Sequence, residues 1–355
     1  MSRLQVTAAL AASCLIALAL PARAADQTEI GLVTHAQGNP FLQQIVDGAQ
    51  AAAKDLGVKL QVAQEQGDDP EGELRAAQNF ANAGAAGVAT SVPGESMARG
   101  LNDIIAGGVP VVQFNLLSRS VHAPYVGEKS VESGRILGRM IVEKLGGEKA
   151  TGTVVIGNCF PGVPVLENRG KGVEESLKKA PGLKVLGPYD VKVSAVENYN
   201  QWEQLYAANP GAVAMIGLCA PDVASLGKLN AANGDKFVAG GYDLTAENLA
   251  AVKAGHAYVT LGQSAFVQGY LPVALLVHSI QTKQALPAGF FNSGTQVVTA
   301  SHVDMGNGLP AIGFAKVQEL AASPAATAAF YQPWIQGLSG DGLMKGMQPI
   351  AAESE

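Results

Sequence analysis

Apolar and polar positions along this chain alternate between two rhythms, short continuous apolar runs and longer amphipathic stretches. The first run, Glu29 to Thr34, carries Ile30, Leu32 and Val33, the near-continuous apolarity of a parallel strand covered on both faces. A polar turn, His35 to Phe41, leads from it into a long amphipathic helix. Further strands are predicted at Lys59 to Ala63, Gly87 to Ser91 and Pro110 to Phe114, with an extended piece at Tyr125-Val126; helices are predicted over Pro70 to Ala83 and Ser96 to Ala106. Strands separated by helices of this length imply right-handed crossovers and a parallel sheet. That makes one lobe.

A helix from Glu132 to Leu145, stopped by Gly146-Gly147, opens a second series. Its strands are predicted at Thr153 to Gly157, Leu183 to Leu186, Ala212 to Leu218, Phe237 to Gly241 and Tyr258 to Leu261. The helices between them are Val165 to Leu177, Val196 to Ala208, Asp222 to Ala232 and Ala246 to Ala254. This is a structural echo of the first series without a residue-level repeat, and it predicts a second lobe. A helix from Ala265 to Gln281 and a strand from Gln296 to Thr299 follow. Beyond His302, Gly-rich turns flank helical pieces at Phe314 to Ala321 and Ala325 to Trp334, expected to pack on a lobe through Phe330, Tyr331 and Trp334, with Ala351 to Glu355 frayed.

The first 24 residues read as a cleavable export signal: Arg3, an apolar core from Val6 to Leu20, then Pro21-Ala22-Arg23-Ala24. Of the three cysteines, Cys159 and Cys219 survive its removal. Both follow strand runs, so they read either as small buried hydrophobes or as a disulfide in an oxidising compartment. The 355 residues exceed what one core supports, and 48% hydrophobic against 15% charged residues indicates large doubly covered sheets. A net charge of −6 with no basic stripe argues against a nucleic-acid partner.

Enzyme readings find little support. There is no G-x-S-x-G elbow, no phosphate-binding G-x-x-x-x-G-K-[ST] and no G-x-G-x-x-G after a strand. His35, His122, His256, His278 and His302 are scattered without metal-ligand spacing. No cofactor is expected.

Gly38-Asn39-Pro40-Phe41 followed by Asp47-Gly48-Ala49 resembles the opening of the ribose-type periplasmic sugar-binding proteins, solute receptors of ABC importers. In order along the chain, Val109-Pro110-Val111-Val112, Val126-Gly127-Glu128, Asn168-Arg169-Gly170-Lys171-Gly172, Gly240-Gly241-Tyr242-Asp243 and Leu261-Gly262-Gln263 resemble further family segments. The resemblance spans roughly residues 26 to 300. It implies an α/β fold of two Rossmann-like lobes with parallel sheets, a hinge, and a ligand clamped between them. On that plan the N-terminal lobe is 25–130 plus 264–291, the C-terminal lobe 131–263 plus 292–302, and 303–355 an extension. It also implies a monomer in the periplasm that delivers a sugar or polyol to an inner-membrane ABC permease, with a non-sugar metabolite or a sensor role as the alternative.

Carried over residue by residue, Asn39 and Phe41 come from the first lobe, and Arg169, Asp243 and Gln263 from the second lobe and hinge. Four of them also have a structural use: Asn39 and Asp243 as helix caps, Phe41 as a hydrophobic staple, and Arg169 as partner of Glu167 or Glu174. Trp202 and Tyr199 read as packing. The chain departs from the family where Asn115-Leu116 replaces Asp-Arg, where Leu42 replaces a second aromatic, and near Cys219, where a polar residue is usual. Losing a charged hydrogen-bond partner costs about 1.5–3 kcal/mol if the ligand keeps the matching hydroxyls. A smaller, differently oriented or less hydroxylated ligand is therefore expected, with Asn115, Cys219, His35, Gln37, Ser91, Asn158, Phe160 and Asp222 as further candidate contacts.

Overall fold

The computed structural model describes residues 27–67, 69–338 and 340–355, so the expected export signal lies outside the described residues. The first lobe begins with β1 (Glu29–Thr34), α1 (Pro40–Leu56), β2 (Lys59–Gln64), α2 (Pro70–Asn82), β3 (Gly87–Thr90), α3 (Ala98–Ala106), β4 (Val111–Phe114) and β5 (Tyr125–Gly127). The chain crosses over into α4 (Ser130–Lys144), β6 (Thr151–Asn158), α5 (Pro164–Leu177), β7 (Gly182–Asp190) and α6 (Ala195–Ala208). It continues through β8 (Ala212–Gly217), α7 (Asp222–Ala232), β9 (Val238–Tyr242), α8 (Ala246–Lys253) and β10 (Val259–Gly262). It returns through α9 (Ala265–Thr282) and β11 (Phe290–Asn292), then crosses again into β12 (Gln296–Thr299) and β13 (Val303–Asp304). Last come α10 (Phe314–Ala322), α11 (Pro324–Gln336), α12 (Gly340–Lys345) and a 3-10 turn, Ile350–Ser354.

One sheet has the order β11-β5-β4-β3-β1-β2, with every neighbouring pair parallel. The other runs β13-β12-β10-β9-β8-β6-β7 and is parallel except for β12 and β13. That exception has a topological cause. β12 reaches its sheet directly from the other lobe and not through a crossover helix, so nothing forces it parallel. Ile30 and Leu32 of β1 are fully buried in the core shared with α1 and α9, while Val33 faces the opposite core beside Val88 and Val111.

β11 was not anticipated, because three residues are too short to show a period. The segment after His302 departs from the expected packing on a single lobe. Val317 and Leu320 of α10 join a core with Leu249 and Val298 of the second lobe, whereas Tyr331, Ile335 and Leu343 join the core of the first. Ala351 to Glu355 also differ from the expected fraying: the 3-10 turn buries Ala352 and Glu353.

One packing contact positions the rest. A Cβ at Gly134 of α4 would lie 2.1 Å from the Arg169 carbonyl oxygen, and a Cβ at Gly172 of α5 would lie 2.0 Å from that of Val131. The two helices therefore touch backbone to backbone beside Arg169. Gly172→Ala is expected to cost about 1–3 kcal/mol by overpacking. Gly170→Ala, whose Cβ would meet nothing nearer than 3.3 Å, should be close to neutral apart from helix propensity. Denaturant unfolding of both variants checks this, and equal losses would refute it.

Candidate functional site

Parallel strands direct their carboxyl ends to one edge, where loops leave the sheet and open α/β proteins bind ligands. Thr34 and Thr90 end in His35 and Ser91, and Phe114 in Asn115, all in the first sheet. In the second, Asn158 ends β6, Tyr242 leads to Asp243, and Gly262 leads to Gln263.

Three crossings join the lobes and are bonded to one another. Ser293 N–H donates to the Gly127 carbonyl at 2.6 Å, and Ser293 Oγ donates to the Gln263 carbonyl at 2.9 Å. The Gln268 amide donates to that same carbonyl at 2.7 Å. On this hinge sits a buried polar chain. Asn115 Nδ2 donates to Gln263 Oε1 at 3.2 Å and to Gln268 Oε1 at 3.3 Å, and Gln263 Nε2 donates to Asp243 Oδ1 at 2.9 Å. Asn115 and Asp243 both adopt the left-handed region, with φ of 59° and 75°, a conformation that Asn and Asp tolerate better than most residues. Asn248 Nδ2 and Thr260 Oγ1 donate to the Asp243 carbonyl at 2.9 and 2.8 Å and lock that backbone. Thr245, and not Asp243, caps α8.

Arg169 is buried and pairs with Glu128 on the first crossing, Nε to Oε1 at 2.5 Å, in place of the expected Glu167 or Glu174. Another nitrogen donates to the Leu218 carbonyl at 2.7 Å, and the guanidinium lies 3.9 Å from the centroid of the Tyr242 ring. Asp243 is near enough to feel this cation. Burial pushes its carboxyl up to about 6, while Arg169 and the Gln263 bond oppose that rise. Phe41 packs at the same place: with Asp243, Gln263 and Phe266 it lines a cavity of about 30 Å³, room for about one water.

Phe41, Asn115, Arg169, Asp243 and Gln263 are thus brought together. Gln37 and Asn39 lie at the mouth, where a groove of about 520 Å³ is walled by Ser194, Pro221, Thr245 and Asn248 from the other lobe. Asn39 also caps α1, its Oδ1 accepting from Phe41 N–H at 2.9 Å.

The remaining candidates are engaged inside their own lobes. His35 Nδ1 is 3.0 Å from Ser91 Oγ, which donates to Glu73 at 2.6 Å; burial pulls the His35 imidazole down to about 4, so it is neutral at physiological pH. Asn158 accepts from Phe160 N–H and donates to Glu167, closing a turn in which Phe160 packs against the lobe core. Asp222 accepts from Asn198, Trp202 and Cys219 N–H, at 2.7, 2.8 and 2.8 Å, and burial pushes it up to about 6. Cys219 is disulfide-bonded to Cys159, so it offers no thiol to a ligand. Trp202 is fully buried, as packing requires.

Glu128, Tyr242 and Gln268 were missed as site residues. Gln268 alone carried a usable signal, an amide inside the apolar run Ala265 to Val273.

Comparison with known proteins agrees with this architecture. A family model described as a periplasmic binding protein domain matches residues 30–284. The ribose import binding protein of Haemophilus influenzae is 28% identical over 270 residues, covering 75% of this chain and 90% of that protein. A solved glucose-galactose binding protein from Geobacillus stearothermophilus superimposes with a TM-score of 0.71 at 22% identity, over 78% of this chain and 98% of its own. A solute binding protein of an ABC transporter from Burkholderia graminis, solved with D-arabinose, gives 0.72 at 22% identity, over 76% and 94%. With strand order, hinge and family model in agreement, the chain belongs to the periplasmic binding protein family.

Proposed function

We propose that this protein is an exported, monomeric receptor that captures a small neutral polar solute, a sugar or polyol, in the cleft and delivers it to an ABC permease in the inner membrane. The observation that carries the reading is the Asp243–Gln263–Asn115 chain, which puts a carboxylate and the Gln263 amide beside the Phe41 ring, with the Asn115 amide of the first lobe bonded to Gln263. A ring face against apolar ligand carbon, with acceptors and donors at its edge, suits a hydroxylated ring or short polyol. The relatives named above are ribose, glucose-galactose and arabinose binders, which supports the same ligand class. The lobe boundaries at 130, 263 and 291 belong to this proposal, with the crossings as hinge.

A thermal-shift screen over pentoses, hexoses and polyols tests the reading. A true ligand at 100 times Kd adds about 2.7 kcal/mol to unfolding stability, and no shift with any of them would overturn it. Asp243→Asn should sharply reduce that stabilisation, leaving weak binding, while the unliganded protein keeps its fold. Arg169→Ala is the poorer probe, because it leaves the buried Glu128 unpaired, at a cost of about 3–5 kcal/mol.

Affinity should also depend on pH. If the ionised Asp243 accepts ligand hydroxyls, binding favours the deprotonated form, so affinity falls as pH drops through about 6, by up to about tenfold per unit. Calorimetric titration between pH 5 and 7.5 reads this. Asp222 titrates in the same range, so the control is Asp243→Asn, whose residual binding should lose the dependence; an unchanged profile would clear Asp243 of the role.

A further inference from the structure

The segment from Val303 to Glu355 lies beyond the region that the family model matches, residues 30–284. Its contacts are distributed across the hinge. α10 is built into the second lobe through Val317 and Leu320. α11 is built into the first, where Tyr331 stacks on Phe266 with ring centroids 5.6 Å apart and Gln332 donates to Asp55 at 3.2 Å. The joint at Ser323 therefore makes a fourth covalent link between lobes that already share three crossings. Tyr331 also reaches back across it, accepting from Gln296 Nε2 of β12 at 2.8 Å. Leu320 and Tyr331 line the small cavity beside Phe41, Asp243 and Gln263, so this segment forms one wall of the site.

Farther along, Gln348 exchanges two backbone hydrogen bonds with Phe290 of β11, both 2.8 Å. The 3-10 turn then inserts the Glu353 carboxylate, 1% exposed, at the hinge. There it meets Ser130 on the first crossing, Arg119 of the first lobe at 3.4 Å, and Asn168 of α5 at 3.3 Å. Asn168 is the neighbour of Arg169. A buried carboxylate satisfied by groups from the first lobe, the crossing and the second lobe keeps those bonds only while the groups stay together.

We propose that residues 303–355 form a clasp that holds the two lobes closed over the cleft, with Glu353 as its catch. The proposal rests on the reading of the cleft as a hinged ligand site. Opening must bend the α10–α11 joint, pull Tyr331 from Gln296 and separate Glu353 from at least one of its partners. The clasp also walls off one flank of the cleft, leaving the mouth between Gln37 and Ser194 as the route for solute.

The experiment measures the gap between the lobes in the full chain without added solute, by electron-spin distance measurement. Labels are placed through Glu95→Cys and Val196→Cys, exposed positions beyond the carboxyl ends of β3 and β7, with Cys159 and Cys219 tied in their disulfide and Cys14 replaced through Cys14→Ser. The parent should show one short-distance population. Glu353→Ala combined with Leu320→Ala should add a longer-distance population, and Glu353→Gln, which keeps the shape and removes the charge, should add a smaller one. If the double variant fails to fold, the parent and Glu353→Gln decide. A parent that already samples the long distance, or variants indistinguishable from a closed parent, would overturn the clasp. Solute binding by a parent that opens freely would sink the clasp and leave the receptor reading standing. A closed parent that binds nothing in the sugar and polyol panel, with variants that open, would do the reverse.

Discussion

The site is organised around one buried ion pair, Arg169 with Glu128. Glu128 belongs to the first crossing between the lobes and Arg169 to α5 of the second, and both are almost inaccessible to water. Removing two charges from solvent is costly, and their mutual attraction repays it only with good geometry and further hydrogen bonds. The Leu218 carbonyl and the Tyr242 ring supply those to the cation. Burial pushes Glu128 above the usual carboxylate range and the adjacent guanidinium opposes it. Because the arginine stays protonated, the pair fixes where a strong positive charge sits relative to Asp243, and so how readily that acid ionises.

The same pair depends on close helix packing. Arg169 can reach the crossing because α4 and α5 meet backbone to backbone at Gly134 and Gly172. A wider separation would move the guanidinium from both Glu128 and the Leu218 carbonyl. The Arg-Gly-x-Gly segment therefore serves two ends, an arginine at the site and a glycine that lets its helix approach.

Much of the architecture is legible along the chain because parallel strands are apolar runs and their carboxyl ends are defined by where those runs stop. Asn115, Asp243 and Gln263 stand at such ends, and the structure joins them in one network. What could not be read is long-range pairing. Glu128 and Arg169 are 41 residues apart, and no local pattern relates them. Asp222 stands just past a carboxyl end like the others, yet Asn198 and Trp202 from α6 occupy its Oδ1 and the Cys219 N–H its Oδ2. The clasp was hidden for a similar reason: its helices are short, and which lobe each one meets depends on the path of the joint at Ser323.

The replacement of an expected carboxylate by Asn115 bears on what the cleft can hold. Asn115 donates to two acceptors, Gln263 Oε1 and Gln268 Oε1; an ionised carboxylate can only accept, so it would take this donor from Gln268 Oε1 and leave Gln263 Oε1 with the Gln268 amide alone. An acid there would also face Asp243, whose carboxyl burial already pushes up, and two buried like charges cannot comfortably both ionise. The amide thus fits its surroundings better than an acid would. An anionic ligand would meet Asp243 with Arg169 already paired to Glu128, and a cationic one would have to compete with that guanidinium. A neutral solute avoids both penalties, which is why the charge arrangement favours an uncharged hydroxylated guest over an ionised metabolite.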